Sequence, residues 1–306
     1  MDSTKTPMDI VASYPNSVIY GAGVCGEAVG DKVYVTSGNS ASGAGVTQSM
    51  WALFAFDSTQ FDGTITPDPT YSFDFPGTAT GGRKEGAISD DTGQIVGITT
   101  RRDAHDLAGT IDGKYVHVID RIQDVIDVFD TITDVHVGTY SLRTASGNID
   151  DIDTNTGTCY EASVMDGGDN FTINNPGADF IAPSPDGKYM MLSLRGPAPV
   201  SATHSAQGSC PGVGIVELKD GGASGSLVGV LRTVNEIEDT VGVVSPSGGI
   251  PYVGKERSDV HDVVVIKKAG SIDIDTGIIV ETSSSAASYG MVGVGALIGV
   301  MAWLVC

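Results

Sequence analysis

The chain has 306 residues, 41 of them glycine, and a formal net charge of −21. Its 38 acidic residues against 17 basic ones repel phosphate backbones and anionic head groups, which argues against nucleic acid as a partner. An apolar share of 41% suffices for a packed core and excludes wholesale disorder.

Residues 1–17 form an N-terminal segment without an apolar run, so no signal peptide is visible there. From residue 18 to 280 the pattern is β throughout: short β-branched runs punctuated by Gly, Asp, Asn and Pro, with almost no helical periodicity. Asp31–Ser37 is followed by Ala52–Asp57. Asp112–Asp120 is followed by Asp124–Asp130 and Val135–Tyr140. Asp186–Leu194 is followed by Val213–Leu218 and Leu227–Leu231. Asp112-Gly113 and Asp186-Gly187 supply the positive φ angles of tight hairpins, and Gly30-Asp31 does similar work. Tyr115, His117 and Ile119 alternate with Val116 and Val118, giving one strand two unlike faces. About five such units are expected, with room for only two strands between Gly81 and Thr110. Units that return with one turn-strand phrase cannot bury their faces alone and must stack on their neighbours. The expected architecture is therefore all-β and of propeller type, which protects strand edges by radial packing; a jelly roll or sandwich is the alternative.

Residues 281–290 are a small-residue polar linker and residues 291–306 an uncharged apolar tail. Ser283-Ser284-Ser285-Ala286-Ala287 before that tail has the pattern of a GPI signal, with Ser283 as the attachment residue. A C-terminal transmembrane helix beginning near Ala286 is the other reading. Either implies a membrane-anchored protein at the cell surface or outside the cell, whose true N-terminus with its entry signal is expected upstream. In that compartment Cys159 and Cys210 are a candidate disulfide, leaving Cys25 unpaired, and Asn170-Phe171-Thr172 is a glycosylation sequon at Asn170.

The phrase Asp112-Gly113-Lys114-Tyr115-Val116-His117-Val118, with Val128-Phe129-Asp130-Thr131 after it, resembles the repeat of YVTN-type, surface-layer and lactonase-like β-propellers. Ser184-Pro185-Asp186-Gly187-Lys188-Tyr189 is similar to that repeat's turn. The resemblance covers most of Val18–Ile279 and implies a WD40-like propeller, seven-bladed in many members of the group. It implies no activity, because such repeats serve enzymes and adhesion modules alike.

Counting ten residues back from Tyr115, Tyr189 and Ile95 reaches His105, Asp179 and Glu85. Asp259-Val260-His261-Asp262-Val263 repeats Asp103-Ala104-His105-Asp106-Leu107, which puts His261 at the same position. In a propeller this position opens the innermost strand, so Glu85, His105, Asp179 and His261 are candidate ligands of a divalent metal in the channel. The alternative is a polar ring that lines a wet channel and satisfies turn backbone. Arg101, Arg102 and Arg257 flank these positions and are candidates to bind an anionic substrate group, or else partners of neighbouring carboxylates. Asp151, Asp153 and Asn155 alternate as in a calcium loop, although the following glycine is misplaced and a hairpin turn explains them as well. The long Ala198–Pro211 segment, with His204, reads as a surface insertion. Two functions remain: a tethered surface scaffold for a protein or glycan ligand, and a propeller hydrolase of the lactonase kind.

Overall fold

The recurring turn phrase works through a recurring set of hydrogen bonds. Thr110 Oγ1 donates to Asp112 Oδ1 at 2.6 Å and accepts from Tyr115 N–H at 3.1 Å, while Lys114 N–H donates to Asp112. Ser184, Asp186, Lys188 and Tyr189 repeat each of these contacts. The hydroxyl bonds hold the Asp112 and Asp186 carboxyls below their usual range. Gly113 (φ 69°) and Gly187 (φ 70°) take the left-handed step that a β-carbon would disfavour. Each box fixes the register of the strand that follows.

The computed structural model describes residues 10–19, 22–38, 51–76, 87–88, 95–96, 102–151, 156–168, 171–198, 207–236, 252–266, 271–272 and 279–280. Ala22–Val29 (β1), Lys32–Gly38 (β2), Ala52–Asp57 (β3) and Tyr71–Asp74 (β4) form an antiparallel sheet in chain order. Ala87–Ile88 (β5) and Ile95–Val96 (β6) pair with each other. A second four-stranded sheet follows: Ala104–Gly109 (β7), Tyr115–Asp120 (β8), Val125–Asp130 (β9) and Val135–Ser141 (β10). After the one-turn helix Thr158–Glu161 (α1) and the small pair Asp166–Gly168 (β11) and Phe171–Thr172 (β12), a third repeats the plan. Its strands are Ala178–Pro183 (β13), Tyr189–Leu194 (β14), Gly212–Lys219 (β15) and Ser224–Arg232 (β16). Ser271–Ile272 (β17) and Ile279–Val280 (β18) form a last small pair.

The middle sheet explains why the units need one another. All six residues of β8 are buried, as expected of a strand covered on both faces. Val116, Val118 and Phe129 pack against Val29, Tyr34, Leu53 and Phe75 of the first sheet. Tyr115, Ile119 and Ile126 pack against Ile181, Met190, Leu192 and Val216 of the third. Fully burying one such side chain contributes about 1.5–3 kcal/mol. A two-layer sandwich would leave one face of each sheet in water; face-to-face stacking of three successive sheets is propeller-like.

β7 lies directly between β1 and β13. Room for only two strands was expected between Gly81 and Thr110, and the short strands β5 and β6 lie there. Among the described residues there are three four-stranded sheets.

His117, fully buried, ties the second sheet to the third. Nε2 faces the Gly222 carbonyl at 2.9 Å and Nδ1 the Tyr140 hydroxyl at 3.0 Å. Burial depresses its pKa to about 4, and that of His105 to about 3. Both rings stay neutral in the fold while the unfolded chain takes up protons below pH 6.5, so stability falls as pH drops from 6.5 towards 4. Glu27 acts oppositely. Burial raises it to about 7, so the fold gains stability as pH falls from 7 towards the unfolded value. Urea titrations should show a flatter acid limb for His117→Gln, by about 3 kcal/mol at pH 4. Glu27→Gln should raise stability at pH 8 and steepen the acid limb. Identical pH profiles in all three proteins would refute these assignments.

Candidate functional site

The innermost strands share one irregularity. In β1, β7 and β13 a bulge puts two residues opposite one on the neighbouring strand: Val24-Cys25 opposite Thr36, His105-Asp106 opposite Ile119, and Asp179-Phe180 opposite Ser193. The bulges make His105 and Asp179 equivalent, as their spacing from the tyrosines suggests. The first sheet offers Val24 at that place. His261 joins the series through a repeated contact: Thr36 Oγ1 donates to the His105 carbonyl, and Ser193 Oγ donates to the His261 carbonyl at 2.9 Å.

These positions do converge, and arginines lie between them. Arg121, one residue past β8, donates to Asp103 at 2.9 Å and to Asp179 Oδ1 at 3.0 Å. Arg195, one residue past β14 and fully buried, donates to Asp179 Oδ2 at 2.6 Å and to Asp259 at 2.7 and 2.8 Å. The result is an alternating chain, Asp103–Arg121–Asp179–Arg195–Asp259, that runs from the second sheet through the third to the segment after it. Gly196 lets that segment approach: a β-carbon there would meet the Ser258 carbonyl oxygen at 1.6 Å. The first sheet has Gly38 at the arginine position, with the Trp51 ring packed over it.

His105 is buried, its Nδ1 3.3 Å from the Asp179 carbonyl and 3.4 Å from the Asp179 carboxylate. Desolvation and the nearby Arg121 charge keep it neutral. The His261 side chain is 40% exposed, with Nε2 3.7 Å from Asp179 Oδ2. The Phe180 ring stands 5.5 Å from the His105 ring and 5.1 Å from that of His261.

Of the four metal candidates, the structure brings His105, Asp179 and His261 together, and Glu85 lies outside the described residues. Both Asp179 carboxylate oxygens accept from guanidinium groups, so a cation would have to displace an arginine. Among the described residues no cluster of three or more His, Cys, Asp or Glu side chains is arranged to hold a metal ion.

Arg102, offered as a substrate ligand, is instead buried between Asp120, 2.5 Å from Nε, and Asp127. Arg257 donates to the carbonyls of Gly254 and Glu256 and lies over the Tyr252 ring, so it braces its own loop. Arg101 lies outside the described residues, as do Asp153, Asn155, Asn170 and Ser283. Asp151 accepts from Ser146 at 3.2 Å, a local turn contact.

Cys159 and Cys210 form the expected disulfide. Cys25 is also disulfide-bonded, which corrects the expectation that it stands unpaired.

The sequence reading overlooked Arg121 and Arg195. Their signal is present nonetheless, since counting six residues forward from Tyr115 and from Tyr189 reaches an arginine both times.

No protein-family model and no curated protein matches the sequence. Among solved structures, the chain is similar to a provisionally named 6-phosphogluconolactonase of Bacteroides uniformis: 17% identity, TM-score 0.35, covering 79% of this chain and 52% of that one. It is also similar to the periplasmic gluconolactonase of Pseudomonas aeruginosa: 12% identity, TM-score 0.24, covering 76% of this chain and 82% of that one. A third likeness is the hydrazine synthase of Kuenenia stuttgartiensis: 13% identity, TM-score 0.32, covering 69% and 35%. The chain thus spans about half the length of the first of these, and TM-scores this low fix neither fold nor activity.

Proposed function

We propose that the chain is a YVTN-type β-propeller that hydrolyses a lactone or ester at the inner end of its sheets, with His261 as general base. One observation carries this reading: His261 is a half-exposed imidazole set beside the buried Asp179 carboxylate, where equivalent positions of successive units meet. A neutral imidazole there takes a proton from water as its oxygen attacks the acyl carbon. The acyl C–O bond then breaks and the proton passes to the leaving alkoxide. A panel of neutral aldonolactones followed by pH-stat tests the reading. His261→Ala should lower kcat/KM by about a hundredfold. Absence of hydrolysis, or hydrolysis indifferent to His261, removes it.

A second reading is a surface scaffold for a protein or glycan. What favours it is that the guanidinium groups of Arg102, Arg121 and Arg195 are all committed to carboxylates, which makes the inner end a rigid platform. Secretion is part of both readings and is supported by the Cys159–Cys210 bond, since such bonds persist in oxidising compartments. Release of the protein from cells by a phosphatidylinositol-specific phospholipase would test the anchor separately.

A further inference from the structure

We infer that Ser193 is the positioning residue of His261, an inference that rests on the functional reading above. Ser193 Oγ accepts from the Phe180 N–H at 2.9 Å, across the bulge of β13, and donates at 2.9 Å to the His261 carbonyl. Ser193 is fully buried. One hydroxyl therefore fixes the backbone of Phe180, whose ring touches His261, and the backbone of His261 itself. The imidazole is held from its main chain at the same place where Asp179, the residue before Phe180, faces its Nε2.

The first sheet contains a built-in control. Thr36 Oγ1 accepts from the Cys25 N–H at 3.2 Å across the bulge of β1 and donates to the His105 carbonyl. The device is thus the same with serine or threonine. Only at Ser193 does it end on a histidine that water can reach, because the His105 side chain is 4% exposed and that of His261 is 40% exposed.

The experiment compares wild type, Ser193→Ala, Ser193→Thr and Thr36→Ala as full chains. Two readouts are used: neutral-lactone kinetics, and the Cε1–H proton signal of His261, assigned by its loss in His261→Ala. Ser193→Ala is expected to lower kcat about tenfold with little change in KM, and to broaden or split the His261 signal. Ser193→Thr restores both. Thr36→Ala lowers thermal stability as an equivalent buried cut would, yet leaves kcat and the His261 signal as in wild type. Normal kcat and an unchanged His261 signal in Ser193→Ala overturn the inference, as does an equal kcat loss in Thr36→Ala. If the wild type hydrolyses nothing, the functional reading fails, and the His261 signal alone then decides whether Ser193 positions that ring.

Discussion

Arg195→Met should destabilise the protein by about 3–5 kcal/mol, the cost of breaking a buried ion pair from one side. Arg195 is fully buried and reaches Asp179 and Asp259 at once. Its removal strips Asp259 of a two-pronged partner and takes from Asp179 one of its two guanidinium donors, leaving it that of Arg121. Methionine fills much of the volume, so the loss reports unpaired charge more than a cavity. In a domain of this size the melting temperature should fall by about 10 °C. Because the groups are out of water, the loss should persist in high salt, where a surface pair would be screened. Asp259→Asn supplies the second arm of a cycle: Arg195→Met should cost less in that background than in the wild type. A loss below about 1 kcal/mol would place the pair in the class of surface salt bridges and dissolve the charge chain as a structural element.

The difference between what could and could not be read from the sequence has a physical basis. The Asp112-Gly113 and Asp186-Gly187 turns were legible because their chemistry is local: a hydroxyl, a carboxylate and a glycine within six residues close the hairpin on themselves. The two faces of β8 were legible for the same reason, since alternation is a property of one strand. The equivalence of His105 and Asp179 followed from spacing, and the bulges explain why the spacing recurs; His261 was placed by a repeated local phrase. What those residues touch did not follow. Asp179 takes one partner 58 residues upstream in Arg121 and another 16 residues downstream in Arg195, and no local rule selects a guanidinium over a metal as the neighbour of a carboxylate. That β1 touches β7 is likewise a fact of packing between sheets, which no local rule supplies. Arg102 shows the bland alternative winning: a buried cation in an acidic chain finds carboxylates first.

Reduction of the Cys159–Cys210 bond should cost about 4 kcal/mol, because the bond closes a loop of 51 residues and chain entropy in the unfolded state grows with the logarithm of that length. The folded geometry does not depend on the bond alone. Val164 N–H donates to the Ser209 carbonyl at 2.7 Å, Asn175 N–H to Ser209 Oγ at 3.0 Å, and Thr158 Oγ1 to the Leu227 carbonyl at 2.9 Å. Cys159, on α1, and Cys210, two residues before β15, are both fully buried in the core of the third sheet. Two small thiols in those places leave little new void. Cys159→Ser/Cys210→Ser would instead bury two hydroxyls, so Cys159→Ala/Cys210→Ala is the cleaner replacement. That variant should keep the wild-type far-ultraviolet spectrum at 25 °C while melting about 10 °C lower. Its unfolding should need less denaturant, and its m-value should be larger, because an uncrosslinked chain exposes more surface when it opens. Equal melting temperatures with and without the bond would mean that the α1 segment and the strand after Cys210 are already held together in the unfolded chain. Loss of the β spectrum would mean that the hydrogen bonds around Ser209 form only once the sulfurs are joined.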